Sequence, residues 1–173
     1  MRTFFEQLAN GDVELTEDLI KDDGFLHAYF ATVNYVLLNR SKLKIKAFAE
    51  ILKSLYRDQL NMDEFEEIEQ IFNELSEREF LILSVKYEFE KHAASDTREL
   101  NPAQRTSTYW ADFKNEIKNK FGIEADELNS MLLRVQRTGC YNRHKGYWDE
   151  SNEEEGNTTP IFARLRTVVS FEQ

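Results

Sequence analysis

The residues best suited to a binding role lie between positions 134 and 148, where cationic and aromatic side chains alternate. Guanidinium and ammonium groups pair with phosphate, and aromatic rings stack on nucleobases, so this mixture is typical of a nucleic-acid interface. Tyr, Trp and Arg are also enriched at protein–protein hot spots. The pattern therefore predicts a surface that contacts nucleic acid or a protein partner. Its candidate members are Arg134, Arg137, Tyr141, Arg143, Lys145, Tyr147 and Trp148.

Charge is distributed unevenly along the chain. The 173 residues carry a net charge of −10, which disfavours a surface that binds nucleic acid all over. Residues 103–148 nevertheless hold eight Lys and Arg against five Asp and Glu. Five acids follow in a loop that would repel phosphate: Asp149, Glu150, Glu153, Glu154 and Glu155. We therefore expect the arginines to pair with this acidic loop, while Tyr147 and Trp148 anchor it to the core.

Patterns for catalysis or metal binding are missing from the sequence. Cys140 and His144 stand four residues apart, but a zinc site needs three or four ligands and no second Cys/His pair exists. A di-iron carboxylate bundle needs Glu-x-x-His on two helices, and that spacing does not occur. There is also no nucleophile elbow, no phosphate-binding glycine loop and no Walker lysine. We therefore expect a protein that is not an enzyme and holds no metal and no cofactor.

Other titratable residues fit structural roles. His27 lies within the apolar run 25–38, so we expect a core histidine bonded to a backbone group or a tyrosine. A later amphipathic stretch, which begins at Asn61, carries many acids. These acids are expected on its solvated face: Asp63, Glu64, Glu66, Glu67, Glu69 and Glu74.

Three features of the sequence bear on the cellular location of the protein. The single cysteine cannot form an internal disulfide. The first residues turn acidic without an apolar region, unlike a secretory signal. As a helix, the apolar run 25–38 rises only about 21 Å, short of the roughly 30 Å of a bilayer core. We expect this run to be a buried central helix with no membrane span, in a cytoplasmic protein.

The first half of the chain shows helical periodicity. The run 25–38 is followed by a second helix whose apolar positions fall three and four apart, namely Ile45, Phe48, Leu52 and Leu55. Asn61 provides an N-cap for a third helix, and Ser76 with Glu79 forms a capping box for a fourth. Short links between these helices are typical of antiparallel neighbours. Residues 1–94 are therefore predicted to form an antiparallel helical bundle.

A polar segment that ends in proline, residues 95–102, predicts a hinge or linker. Two helices come next, with Gly122 and Gly139 at their C-terminal ends. An extended segment, the acidic loop and a last helix, which starts at Thr159-Pro160, complete residues 103–173. The predicted fold class is mainly α with one short β hairpin.

The order of elements in residues 103–173 resembles a winged-helix module. The second helix, residues 124–137, and the hairpin, residues 140–160, would then form the contact surface. The segment NTTPIFARLRTVVSF looks like the end of many bacterial winged-helix tails. The motifs KIKAFAEILKSLY, DEFEEIEQIF and LSEREFLIL are similar to poorly characterised bacterial helical proteins. The resemblance spans residues 42–169 and implies a fold but no defined activity.

These observations favour a non-enzymatic bacterial module for protein interaction or regulation, acting through a protein partner. The basic segment RSKLKIK and the acidic segment DEFEEIEQ are complementary, so they would pair within one chain or across a homodimer. The alternative is a DNA-binding transcriptional regulator that uses Arg134, Arg137, Arg143 and Lys145.

Overall fold

The computed structural model describes residues 2–9, 21–57, 59–95, 99–144 and 155–169. Within these ranges the chain is mainly helical with one small antiparallel hairpin, as predicted. The helices are α1 (Arg2–Ala9), α2 (Asp23–Leu38), α3 (Lys42–Tyr56), α4 (Met62–Glu74), α5 (Glu77–Ala94), α6 (Pro102–Phe121), α7 (Ala125–Val135), a 3-10 turn (Gln136–Thr138) and α8 (Pro160–Val168). The strands are β1 (Tyr141–Arg143) and β2 (Gly156–Thr158).

The chain divides into two compact units. The first unit consists of residues 1–77 and 165–173, and the second consists of residues 78–164. The predicted division into residues 1–94, 95–102 and 103–173 stays a prediction about domains.

Aromatic packing holds the first unit together. Helix α1, which the periodicity analysis did not predict, buries Phe4 in this unit. The Tyr35 ring of α2 stacks on Phe48 of α3 with 5.4 Å between ring centroids. Phe48 in turn makes an edge contact with Phe72 of α4. Such ring pairs stabilise a core beyond the area that they bury.

Helix α2 forms as predicted, but the buried central helix expected here is buried on one face only. One face packs in the unit through Phe25, Ala28 and Val36. The opposite face leaves Phe30 60% and Leu37 62% exposed. His27 also lies on the exposed side, with Nε2 4.0 Å from Glu66 Oε1, so the core histidine expected at this position is wrong.

Helix α4 begins at the predicted cap. The Asn61 side chain accepts from Glu64 N, and Asn61 N donates to Glu64 Oε2. The predicted solvated face is wrong for Glu69, which is only 3% exposed. Thr32 Oγ1 donates to Glu69 Oε1 at 2.5 Å, so the buried carboxylate has one hydroxyl donor.

The second unit carries the hairpin on a helical core. Gly122 and Gly139 have φ of 67° and 73°, the left-handed conformation predicted for these helix ends. Strands β1 and β2 pair Tyr141 with Thr158 and Arg143 with Gly156. A Cβ on Gly156 would lie 2.1 Å from the Asn142 carbonyl oxygen, so only glycine allows the two backbones to approach this closely.

Helix α8 starts where Thr159-Pro160 predicts. Phe162 N donates to the Thr159 hydroxyl, which itself donates to the Gly139 carbonyl at 2.6 Å. The cap therefore ties the start of α8 to the turn after α7. Among the described residues, none of the helices has the length and apolar content needed to cross a bilayer.

Candidate functional site

A buried lysine is the centre of a polar network in the second unit. Lys86 of α5 has no solvent exposure. Its Nζ donates to the Tyr109 hydroxyl at 2.6 Å and lies 3.3 Å from Glu90 Oε1. The ammonium group also lies 4.3 Å from the Tyr109 ring centroid and 5.4 Å from that of Trp110. Burial lowers the pKa of Lys86 to about 8, and the Glu90 charge opposes that shift.

Tyr109 connects this network to the hairpin. Since its oxygen accepts from Lys86, its own proton is directed to Asn157 Oδ1 at 3.4 Å or to Thr106 Oγ1 at 3.5 Å. Thr106 Oγ1 lies 2.6 Å from Asn157 Oδ1 and 3.3 Å from His144 Nε2. Burial raises the pKa of Tyr109, so its phenol stays protonated as a donor.

Glu90 fixes the second strand of the hairpin to α5. Its Oε1 accepts from Thr158 N at 2.8 Å, and its Oε2 accepts from the Thr158 hydroxyl. The Lys86 ammonium neutralises the same carboxylate. The ion pair and the two Thr158 bonds therefore hold the hairpin in position against helices α5 and α6.

A cavity of about 350 Å³ opens beside this network. It lies within the second unit, and apolar and polar residues share its wall. The lining residues are Glu90, Leu100, Pro102, Arg105, Thr106, Tyr109, Asn157 and Thr158. Its volume is at the lower end of the range for small-molecule pockets.

The sequence did not single out these pocket residues. Lys86 and Glu90 are four apart on α5, a spacing that gives a helical ion pair, and Lys86 directly follows the apolar run 80–85. An ion-pair spacing next to an apolar run was the sequence feature that could have identified these two residues. The partners Tyr109 and Asn157 are distant in sequence, and no local pattern connects them to Lys86.

The predicted basic residues do not form one open patch. Arg134 Nε lies 2.5 Å from Glu79 Oε1, a carboxylate on α5 rather than in the acidic loop. Arg137 is exposed, and its Nε donates to the Arg134 carbonyl at 3.3 Å. Arg143 lies on β1 opposite Gly156 and is half-buried. Glu155, at the end of the acidic loop, accepts from Ser107 Oγ at 2.9 Å.

Of the three aromatic residues predicted for the contact surface, the structure describes Tyr141 alone. Tyr141 is 1% exposed and belongs to the core of the second unit, so its ring has no open face for a base. Lys145, Tyr147 and Trp148 lie outside the described residues, as do the acids at 149, 150, 153 and 154. The proposed anchoring of the acidic loop by Tyr147 and Trp148 therefore stays a prediction.

Cys140 is buried, and burial raises the pKa of its thiol, which keeps the group protonated. Over the ranges that the structure describes, no cluster of three or more His, Cys, Asp or Glu side chains is arranged to hold a metal ion.

Comparison with known proteins gave no match: no family model, no curated protein and no solved structure matches this chain. Support for any function therefore comes from the geometry of the chain itself.

Proposed function

We propose that this chain is a non-enzymatic interaction module and that it acts by self-association through the exposed face of α2. The observation that carries this proposal is the apolar surface on that helix. Phe30 and Leu37 are mostly exposed, and Leu38 is 82% exposed. Leu26 and Val33 lie on the same side of the helix and are half-buried. Contiguous exposed apolar residues on a water-facing helix are typical of an interaction surface.

The spacing along this face is that of a helix–helix seam. Leu26, Phe30, Val33 and Leu37 follow one another at intervals of four, three and four residues. This repeat places all four side chains on one stripe, as in the a and d positions of a coiled coil. We call these four residues the α2 stripe. A second helix of the same kind would bury it.

The α2 stripe is complementary to itself when two copies run antiparallel about a twofold axis. A register centred between positions 31 and 32 places Phe30 opposite the partner's Val33, and Leu26 opposite the partner's Leu37. Asp23 is the first residue of α2 and Arg40 follows two residues after its end, so an antiparallel pair brings these exposed opposite charges together at each end of the seam. A twofold interface repeats each pair, so it would contain two Asp23–Arg40 ion pairs. Apolar and charged positions therefore match in one arrangement, which favours a second copy as the occupant.

Self-association is expected to be weak and to depend on Phe30. A seam of one short helix per subunit is smaller than a standard interface, so we expect a dissociation constant on the order of 100 µM. Phe30→Glu should weaken association at least tenfold, because it places two carboxylates in the centre of the seam. Sedimentation equilibrium between about 10 µM and 1 mM measures the effect.

Leu133→Glu is the matched control. Leu133 is an exposed apolar residue of α7, outside the α2 stripe, and its substitution should leave association unchanged. A reciprocal test uses the charges: Asp23→Arg should weaken association, and Asp23→Arg with Arg40→Asp should restore it. A chain that stays monomeric at the highest concentration, or that is equally affected by Leu133→Glu, would contradict the proposal.

The proposal also includes the fold of the C-terminal residues and the origin of the protein. We infer that residues 103–173 form a winged-helix-like domain, because α6, α7, the β hairpin and α8 follow one another along the chain in the order of that module. The motif resemblance supports a bacterial cytoplasmic protein. Neither inference depends on the α2 stripe.

DNA binding is the second candidate, and the exposure of Arg137 near the end of α7 favours it. The burial of Tyr141 and the pairing of Arg134 with Glu79 weigh against it. If the second candidate holds, random duplex DNA should bind at low salt, and Arg134→Glu with Arg143→Glu should abolish that binding. A fluorescence titration at low and moderate salt checks this. We expect no binding, and salt-sensitive binding lost in the double variant would replace the first candidate.

A further inference from the structure

The charges around the cavity leave one group unneutralised. Lys86 and Glu90 form an ion pair, and both Glu90 oxygens already accept bonds from Thr158. Arg105 also lines the cavity, and no carboxylate lies within 4.0 Å of it in the described ranges. Its Nη2 donates to the Leu100 carbonyl at 3.5 Å, which is long for a hydrogen bond. Glu155, whose charge also acts on Lys86 and Tyr109, accepts from Ser107. Among the described residues that line the cavity, Arg105 is therefore the cation left to pair with a ligand.

Asn157 adds a neutral donor. The 2.6 Å separation between Thr106 Oγ1 and Asn157 Oδ1 is typical of an O–H···O bond and short for N–H···O. The amide oxygen therefore faces both hydroxyl groups and accepts from Thr106, while Tyr109 lies 3.4 Å from it. The amide NH₂ is left as a donor without a protein partner among the described residues, on a side chain that lines the cavity.

The other residues that line the cavity indicate the chemical class of the ligand. Leu100 and Pro102 provide apolar surface, and Arg105 lies in the first turn of α6, where the helix dipole favours an anion. One guanidinium fork matches one carboxylate, whereas inorganic phosphate has no apolar part to cover these walls. We propose that this cavity binds a small monocarboxylate with a short apolar body. Its carboxylate pairs with Arg105 and the Asn157 amide, and its hydrocarbon part contacts Leu100 and Pro102.

Isothermal titration calorimetry of the full chain with sodium hexanoate at constant ionic strength tests this site. We expect saturable binding with a dissociation constant on the order of 1 mM. 1-Hexanol, which has the same chain length without the charge, should not bind, and inorganic phosphate should bind at least tenfold more weakly than hexanoate.

Two variants test whether Arg105 and Asn157 bind the carboxylate of hexanoate. Arg105→Gln should weaken hexanoate binding at least tenfold, because it removes the charged fork. Asn157→Asp keeps the acceptor that Thr106 and Tyr109 use but replaces the donor with a negative oxygen, so it should weaken binding to a similar extent. Arg78→Gln removes an exposed arginine of the same unit, paired with Glu127, and should leave binding unchanged. Circular dichroism confirms that each variant is folded.

Three results would overturn the proposal. These are the absence of saturable hexanoate binding, unchanged affinity in folded Arg105→Gln, and phosphate binding tighter than hexanoate binding. Each result is independent of self-association, since the α2 stripe and the cavity lie in different units of the chain.

Discussion

Replacing Lys86 with methionine is expected to lower the free energy of unfolding by about 2 kcal/mol at neutral pH. The substitution preserves the apolar stem but removes the ammonium group that neutralises Glu90 and donates to Tyr109. Loss of one partner from a buried ion pair generally costs more, but Glu90 keeps its two bonds from Thr158. Desolvation, the cause of the lowered Lys86 pKa, also disappears with the charge, which offsets part of the loss.

A double-mutant cycle separates these contributions. Glu90→Gln alone leaves the Lys86 charge buried without a counter-charge, so it should also be destabilising. Lys86→Met combined with Glu90→Gln removes both charges, and we expect it to be less destabilising than the sum of the single changes by about 2 kcal/mol. Urea unfolding at neutral pH measures all four proteins.

An exposed ion pair on the same helix is the control. Lys91 Nζ lies 3.7 Å from Glu88 Oε2, and both side chains are about half exposed. Solvent screens such pairs, so Lys91→Met should change the free energy of unfolding by less than about 0.5 kcal/mol. If Lys86→Met has an equally small effect, or if the cycle is additive, then the buried ion pair between Lys86 and Glu90 does not stabilise the folded chain.

The elements that the sequence predicts well are those fixed by local chemistry. Asn61 caps α4, Gly122 and Gly139 end their helices with positive φ, and Thr159-Pro160 starts α8. Each depends on one side chain and the backbone within three or four residues of it. The hairpin is likewise predicted from a change in periodicity and a glycine-containing loop. Such features need no knowledge of which helix packs against which.

Burial depends on partners that are distant in sequence, and here the predictions were wrong. The apolar run in α2 cannot show that Phe30 and Leu37 stay exposed, so it predicts a buried central helix. Glu69 looked like one more acid on a solvated face, yet Thr32, 37 residues away, donates to it in the core. The cavity likewise depends on a contact between Glu90 and Thr158, which are 68 residues apart.

The buried carboxylate of Glu69 is expected to make the protein less stable as pH rises from about 4.5 to about 7. Burial is the main cause that raises the pKa of Glu69 to about 7, and Glu66 adds to the rise while the Thr32 hydroxyl opposes it. Between its unfolded pKa of 4.5 and this value, the folded state binds more protons than the unfolded state. The free energy of unfolding therefore falls with rising pH, by up to about 3 kcal/mol from this group alone.

Glu69→Gln isolates this contribution, because the amide cannot ionise but its oxygen can still accept from Thr32. At pH 8 the variant should be more stable than the parent chain by about 2 to 3 kcal/mol, and below pH 4 the two should be nearly equal. Glu67→Gln, at an exposed position of the same helix, should change neither value by more than about 0.5 kcal/mol. Urea unfolding at intervals between pH 4 and pH 8 gives the difference between variant and parent, in which titrations elsewhere in the chain cancel. A constant difference over this range would mean that the pKa of Glu69 is the same in the folded and unfolded states, so that the Thr32 hydroxyl and its surroundings compensate fully for the burial of the charge.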